Sequence, residues 1–199
     1  MWKLLFSLLI LRVRPRFKFL DTVLSRYRVK PWDLDANVHM NNVKYLKYLE
    51  KGRVEHMIHT PYFTKLYRRK IHSLIVNTEV SYIKSLLPFQ RFSVSTRISS
   101  WDDKYVYYDQ RVESQGELYA AAVVRMVLMA NGKKASPLEV FNKIWPDTRV
   151  PALPMSARKL NELVQAQRQE TQAQGPAPQE APPKSTAANP VLESDTVYE

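Results

Sequence analysis

Residues 42–58, NVKYLKYLEKGRVEHMI, limit the fold more than any other stretch of the chain. Projected at about 100° per residue, the charged Lys44, Lys47, Lys51 and Glu55 fall on one narrow strip. Val43, Tyr45, Leu46, Tyr48, Leu49, Val54 and Met57 cover most of the remaining circumference. A helix lying on an open sheet needs only one apolar face, so this one is expected to be enclosed, with a sheet wrapped around it. Glu50 and Arg53 fall on the covered side at i, i+3 spacing. They are expected to pair with each other or with backbone groups in a structural role.

The flanking segments supply such a sheet. TVLSRYRV (22–29) precedes the helix, and LIVNTEVSYI (74–83), RFSVSTRI (91–98), KYVYYDQRV (104–112) and LYAAAVVRMVLM (118–129) follow it. They alternate in polarity or are rich in β-branched and aromatic residues. Gln115-Gly116 and Asn131-Gly132 supply turns, and short connections make the sheet antiparallel. The fold class is therefore α+β, an antiparallel β-sheet around a central helix. The domain is expected over 20–147, after an apolar and basic segment at 1–19. A linker with a helix-forming stretch follows at 148–171, and a disordered tail rich in Pro and Ala at 172–199.

Composition removes several functions. With no cysteine there is no disulfide, thiolate metal site or cysteine nucleophile, which fits a reducing cytoplasm. Four glycines, none in a phosphate-cradling motif, argue against nucleotide hydrolysis. Residues 1–149 carry 26 Lys/Arg against 13 Asp/Glu, a field that attracts polyanions. Nucleic acid would need more than charge, and no RNP strand, GXXG loop or zinc pattern is present, so no nucleic-acid partner is expected. The opening MWKLLFSLLIL is too short to span a bilayer, and Arg12, Arg14, Arg16 and Lys18 follow it. Two readings fit: an interfacial anchor on an anionic membrane surface, placing a cytoplasmic protein on the cytoplasmic membrane face, or a segment packed on its own domain or a partner subunit.

Directly before the helix lies WDLDANVHMNN (32–42), which gathers Asp33, Asp35, Asn37, His39, Asn41 and Asn42. A helix N-terminus offers unpaired N–H groups and a positive dipole end, which stabilise anions and polarise carbonyls. A carboxylate at Asp35 would meet a substrate carbonyl held there. An Asx-rich capping loop, with Asn41 or Asn42 as N-cap, explains the same residues without chemistry.

The string DLDANVHMNNVKY resembles the active-site segment of plant acyl-carrier-protein thioesterases, and YLKYLEKGR is similar to the central helix of bacterial acyl-CoA thioesterases related to 4-hydroxybenzoyl-CoA thioesterase. Both belong to the hotdog-fold thioesterase superfamily. The resemblance covers about residues 22–142 and is strongest over 33–53. It implies a hotdog fold and hydrolysis of acyl-CoA or acyl-carrier-protein thioesters without cofactor or metal. Asp35 would be nucleophile or general base, with Asn37 and His39 as catalytic partners. Asp33 would be a supporting residue, and N–H groups near Asn42 would serve as the oxyanion site. The plant enzymes hold two such units and this chain one, which implies a homodimer or a dimer of dimers. The Gly that often follows the bacterial Asp is replaced by Asn37, so the two mechanistic precedents stay open. A non-catalytic acyl-binding or membrane-scaffolding protein on the same frame is the alternative.

Other candidates are weaker. Glu79 is either a second acid near the site or a paired or solvated strand residue. Lys65, Arg68, Arg69 and Lys70 could grip coenzyme A phosphates or form a solvated helix end. His56 and His59 lack a third ligand at metal spacing.

Overall fold

The computed structural model describes residues 17–174, with side chains through Glu170; the apolar N-terminal run and the Pro-rich tail lie outside them. By contacts the chain separates into two units, residues 1–163 and 164–199. The first holds the whole sheet. The second is described only as the continuation of one helix to Gln174.

Strand β1 (Val23–Arg28) leads through a 3-10 turn (Pro31–Asp33) and a loop into helix α1 (Asn42–His59), and the short α2 (Pro61–Tyr67) follows. Strands β2 (Ile71–Tyr82), β3 (Arg91–Trp101), β4 (Val106–Ser114), β5 (Glu117–Ala130) and β6 (Lys133–Ala135) come next, then α3 (Pro137–Ile144) and α4 (Met155–Gln174). The order across the sheet is β1-β3-β4-β5-β2, with β6 also on β5, and every pairing is antiparallel. Gln115-Gly116 and Asn131-Gly132 turn the hairpins with positive φ at both positions. Among the described residues no helix is long and apolar enough to cross a membrane.

The sheet curls around α1, as the sequence implied, but a single chain does not enclose it. Tyr45, Tyr48, Leu49, Gly52, Arg53 and His56 are buried. Gly52 lets the helix approach closely: a Cβ there would stand 2.8 Å from Thr96 Oγ1 and 2.9 Å from Val94 Cγ1. Beside it Arg53 Nη1 donates to Gln110 Oε1 (2.6 Å), and Gln110 Nε2 donates to the Leu49 carbonyl and to Thr96 Oγ1 (both 2.8 Å). The expected Glu50–Arg53 pair is not formed, because Arg53 points at the sheet while Glu50 is exposed. Glu55 is not simply solvated either; it accepts hydrogen bonds from the Ser25 and Tyr27 hydroxyls of β1.

One apolar cluster surrounds the first half of α1, including Met40, Tyr45, Tyr48, Leu49 and Phe92. The other gathers Phe19, Tyr62, Trp101, Tyr108 and Phe141. Helix α3, which Ser136 caps and Pro137 opens, delivers Phe141 and Ile144 to the second cluster. Trp145 stacks on Phe19 at 3.9 Å. The start of α4 docks through buried Ala157 and Leu160 and through Asn161, which bonds Arg125 and the Tyr107 hydroxyl.

Candidate active site

The loop between the 3-10 turn and α1 is closed by its own backbone. Asp35 N–H donates to the His39 carbonyl (2.9 Å) and Val38 N–H to the Asp35 carbonyl (3.1 Å). Met40 N–H reaches the Leu86 carbonyl (2.9 Å), and Leu34 bridges Met40. The closure requires Val38 at φ +60°, a left-handed conformation that costs a β-branched residue about 1–3 kcal/mol.

Asp33 is the buried foot of this loop. Its Oδ2 accepts from the Tyr48 hydroxyl (2.6 Å) and the Lys30 N–H (3.1 Å), and Lys44 Nζ stands 3.8 Å from Oδ1. Asn41 N–H donates to its carbonyl (2.9 Å). Burial, reinforced by the Asp33 carboxylate, raises the Tyr48 pKa well above its ordinary value, so this phenol stays a donor.

Asp35 is placed differently. Its Oδ1 accepts from the Asn37 N–H (2.9 Å) and the His39 N–H (3.3 Å), which fixes the carboxylate, while Oδ2 makes no hydrogen bond among the described residues. Asn37 is exposed and His39 half-buried. Backbone N–H groups, not the Asn37 and His39 side chains, bind Asp35. Asn41 is the N-cap: its Oδ1 accepts from Val43 N–H (2.9 Å) and its carbonyl from Lys44 N–H (2.8 Å). The capping leaves Asn42 N–H without a partner among the described residues, at the positive end of α1. The Asn42 carbonyl accepts from the Tyr82 hydroxyl (3.2 Å), joining the helix start to the end of β2. One loop–helix junction thus combines an oriented carboxylate with a free oxygen and an unused N–H donor.

Glu79 is not part of that junction. Its cross-strand row, Glu79–Val123–Asp109–Arg97, lies on the outer sheet face, where Arg97 pairs with Asp109 at 3.2 Å. There Glu79 lines a groove with Arg111, Ser156 and Lys159. The next row, Val80–Ala122–Gln110–Thr96, faces α1. His56 is fully buried edge-on to Tyr108, 5.3 Å between centroids, and no group of three or more His, Asp or Glu that could hold a metal occurs among the described residues.

Two features escaped the sequence. The Tyr48–Asp33 bond spans 15 positions and carries no local signal. The second is an uncovered apolar surface: Val43 (68% exposed), Leu46 and Val54 on α1, with Leu74, Ile75, Val76 and Tyr82 along the edge strand β2 and Ile83 just after it.

Residues 29–167 match the family model described as the thioesterase-like superfamily. The chain belongs to that superfamily. Protein THEM6 of Danio rerio is 32% identical over 114 residues, covering 57% of this chain and 55% of its own length. The long-chain acyl-CoA thioesterase FadM of Escherichia coli is 23% identical over 118 residues, 58% of this chain and 89% of that protein. The chain spans about half the length of the THEM6 relatives it matches first. Among solved structures, the probable thioesterase YbaW from Escherichia coli superposes with a TM-score of 0.58 at 20% identity, over 61% of this chain and 95% of its own. That likeness supports the hotdog fold, a curled antiparallel sheet around a helix.

Proposed function

We propose that this member of the superfamily hydrolyses acyl-CoA or acyl-carrier-protein thioesters to free acid and thiol. The observation that carries the reading is the Asp35 carboxylate, held by two backbone N–H groups with Oδ2 free, beside the open N-terminus of α1. Asp35 Oδ2 takes a proton from a water that attacks the thioester carbonyl, or attacks that carbon itself to give an anhydride that water then opens. In either route the carbonyl oxygen gains charge, which the Asn42 N–H and the helix end stabilise. The C–S bond breaks, and the departing thiolate takes up a proton. Asn37 and His39 line the approach, and Asp33 holds the loop through Tyr48.

The working unit is a homodimer. Strand β2 is an edge strand with an apolar flank, and Val43, Leu46 and Val54 of α1 continue that flank toward the junction. Pairing of two β2 strands about a two-fold axis satisfies the edge and covers these residues. The acyl chain then lies in the apolar slot between α1 and the partner. Thiol release from a panel of acyl-CoA and acyl-carrier-protein thioesters of graded chain length tests the reading. Turnover of a subset supports it, and failure to turn over any of them contradicts it.

A further inference from the structure

The segment that carries Asp35 and the connection between β2 and β3 present apolar side chains to solvent from one joined pair of loops. Phe89 N–H donates to the Val29 carbonyl (3.2 Å), Val29 N–H to the Gln90 carbonyl (3.0 Å) and Met40 N–H to the Leu86 carbonyl (2.9 Å). Leu86 is fully buried, but Trp32 (67%), Phe89 (60%), Val38 and Leu87 are exposed. Lys30 Nζ lies over the Trp32 ring, 5.3 Å from its centroid. The β2–β3 connection is held in this shape. Gln90 Oε1 accepts from the Leu87 N–H (2.9 Å), and Gln90 Nε2 donates to the Ser114 and Tyr119 hydroxyls (2.9 and 3.0 Å).

Two of the four apolar residues also carry backbone strain. Val38 and Phe89 both stand at φ +60°, where glycine sits freely and a β-branched or bulky side chain is an outlier. An apolar residue there loses on conformation and on exposure together, so what favours it lies outside the packing of the chain. The charge around the loops has one sign. Arg28 and Arg91 stand directly opposite each other across β1 and β3, which opposes strand pairing. They and Lys30 are exposed, and none of the three pairs with a carboxylate among the described residues. Glu113 and Glu117 already pair with Arg111 and Lys84 (both 2.8 Å), and Asp33 is buried.

We infer that Trp32, Val38, Leu87 and Phe89, with Arg28, Lys30 and Arg91, form a docking surface for an anionic lipid bilayer. Aromatic and aliphatic side chains on loops enter the headgroup boundary, and cations beside them meet the lipid phosphates. A bilayer accepts side chains that project singly, whereas an acidic carrier protein would ask for the cations without an exposed Trp and Phe. The apolar residues 1–18 do not fit as the occupant, since they are basic too and would set cation against cation. Phe17 N–H donates to the His59 carbonyl (3.1 Å) at the far end of α1, so the loop surface is a contact separate from that segment. With both engaged, α1, about 27 Å long, lies along the membrane. The surface does not depend on the thioesterase reading. Joined to that reading, it opens the Asp35 loop toward acyl thioesters dissolved in the lipid.

The chain has no cysteine, so a single introduced one can carry a polarity-sensitive dye. The full chain is labelled at Phe89→Cys and, as control, at Lys134→Cys. Lys134 is exposed and pairs with Met129, which pairs with His72 at the end of β2 remote from the loops. Mixed phosphatidylcholine and phosphatidylserine vesicles are compared with phosphatidylcholine alone. The expected result is a brighter, blue-shifted dye at Phe89→Cys on the anionic vesicles, reversed by salt, with no change at Lys134→Cys or on phosphatidylcholine. Unlabelled Trp32→Ser/Phe89→Gly should bind the anionic vesicles about tenfold more weakly at an unchanged or higher Tm, because glycine relieves the left-handed position. Vesicle binding with an unchanged Phe89→Cys dye overturns the surface and leaves attachment to residues 1–18 alone. Wild-type vesicle affinity in the double variant overturns it as well, and so does a marked fall in Tm, which would show that the fold uses these side chains. A change of oligomeric mass in the double variant reassigns the loops to a contact between copies. A dye that responds to an acyl-carrier protein and not to vesicles reassigns them to a protein partner.

Discussion

Replacing His56 with phenylalanine is expected to remove a large part of the acid sensitivity of this fold. His56 is fully buried on α1, edge-on to Tyr108, and neither ring nitrogen has a well-formed hydrogen bond among the described residues. Burial lowers its pKa from 6.5 to about 4, partly opposed by the nearby Asp21 backbone and charge. The unfolded chain therefore takes up a proton near pH 6.5 that the folded chain refuses until about pH 4. Stability from this group is complete above pH 6.5 and falls as the pH drops through that window. About 2.5 pKa units at 1.36 kcal/mol each make the loss about 3 kcal/mol by pH 4. Urea unfolding at pH 7, 6, 5 and 4 measures it. Carboxylate titrations act on both proteins, so the quantity to follow is wild type minus variant, which should shift by about 3 kcal/mol in favour of the variant between pH 7 and pH 4. Phenylalanine adds its own packing cost, but that cost does not vary with pH. A difference that stays constant over the range would refute the reasoning, since it would mean that the imidazole titrates alike in both states.

Gly52→Ala is expected to lower stability by about 2 kcal/mol or more in thermal melts, because the clash with Thr96 and Val94 outweighs a helix-propensity gain of about 1 kcal/mol; an unchanged or higher Tm would show that α1 is not pressed on β3. Tyr48→Phe removes the donor to the buried Asp33 carboxylate and should cost about 2 kcal/mol while also reducing turnover, as the loop loses its foot. We propose peripheral membrane attachment through residues 1–18: co-sedimentation with anionic vesicles should fall with salt and vanish on removal of the segment. Equal sedimentation of the truncated protein would assign the segment to packing instead.

The sheet was legible because alternation and turn residues are local signals. RFSVSTRI reads directly as a strand with Phe92, Val94 and Ile98 inward, and all three are buried. The helix was legible as a helix, but its apolar girth pointed to a full enclosure that the sheet of one chain does not provide. Periodicity shows which positions are apolar and not what covers them, and Val43, Leu46 and Val54 are open to solvent. The face of Glu79 was illegible for a different reason. The register shifts between Ile75 and Asn77, so the bulge at Val76 reverses the alternation, and Glu79 turns outward although Ile71 and Ser73 on the same parity face inward. Helix α4 had the expected helix-forming composition, and its docking through Ala157, Leu160 and the Asn161 hydrogen bonds to Arg125 and Tyr107 carries no periodic signal in the sequence. The Asp–Asn–His spacing marked the loop. Which side chains bond which could not follow from spacing, because Asp35 is held by N–H groups, common to every residue type but proline.

Steady-state hydrolysis of an acyl-CoA substrate by the wild type and by Asp35→Asn tests the central claim most directly. Asparagine keeps the shape of the side chain and an Oδ1 able to accept from the Asn37 and His39 N–H groups, but it has neither base nor nucleophile at the free position. The account predicts a fall in kcat of about a hundredfold or more at unchanged Tm. Turnover by Asp35→Asn at the wild-type rate, with contaminating esterase excluded, would contradict it.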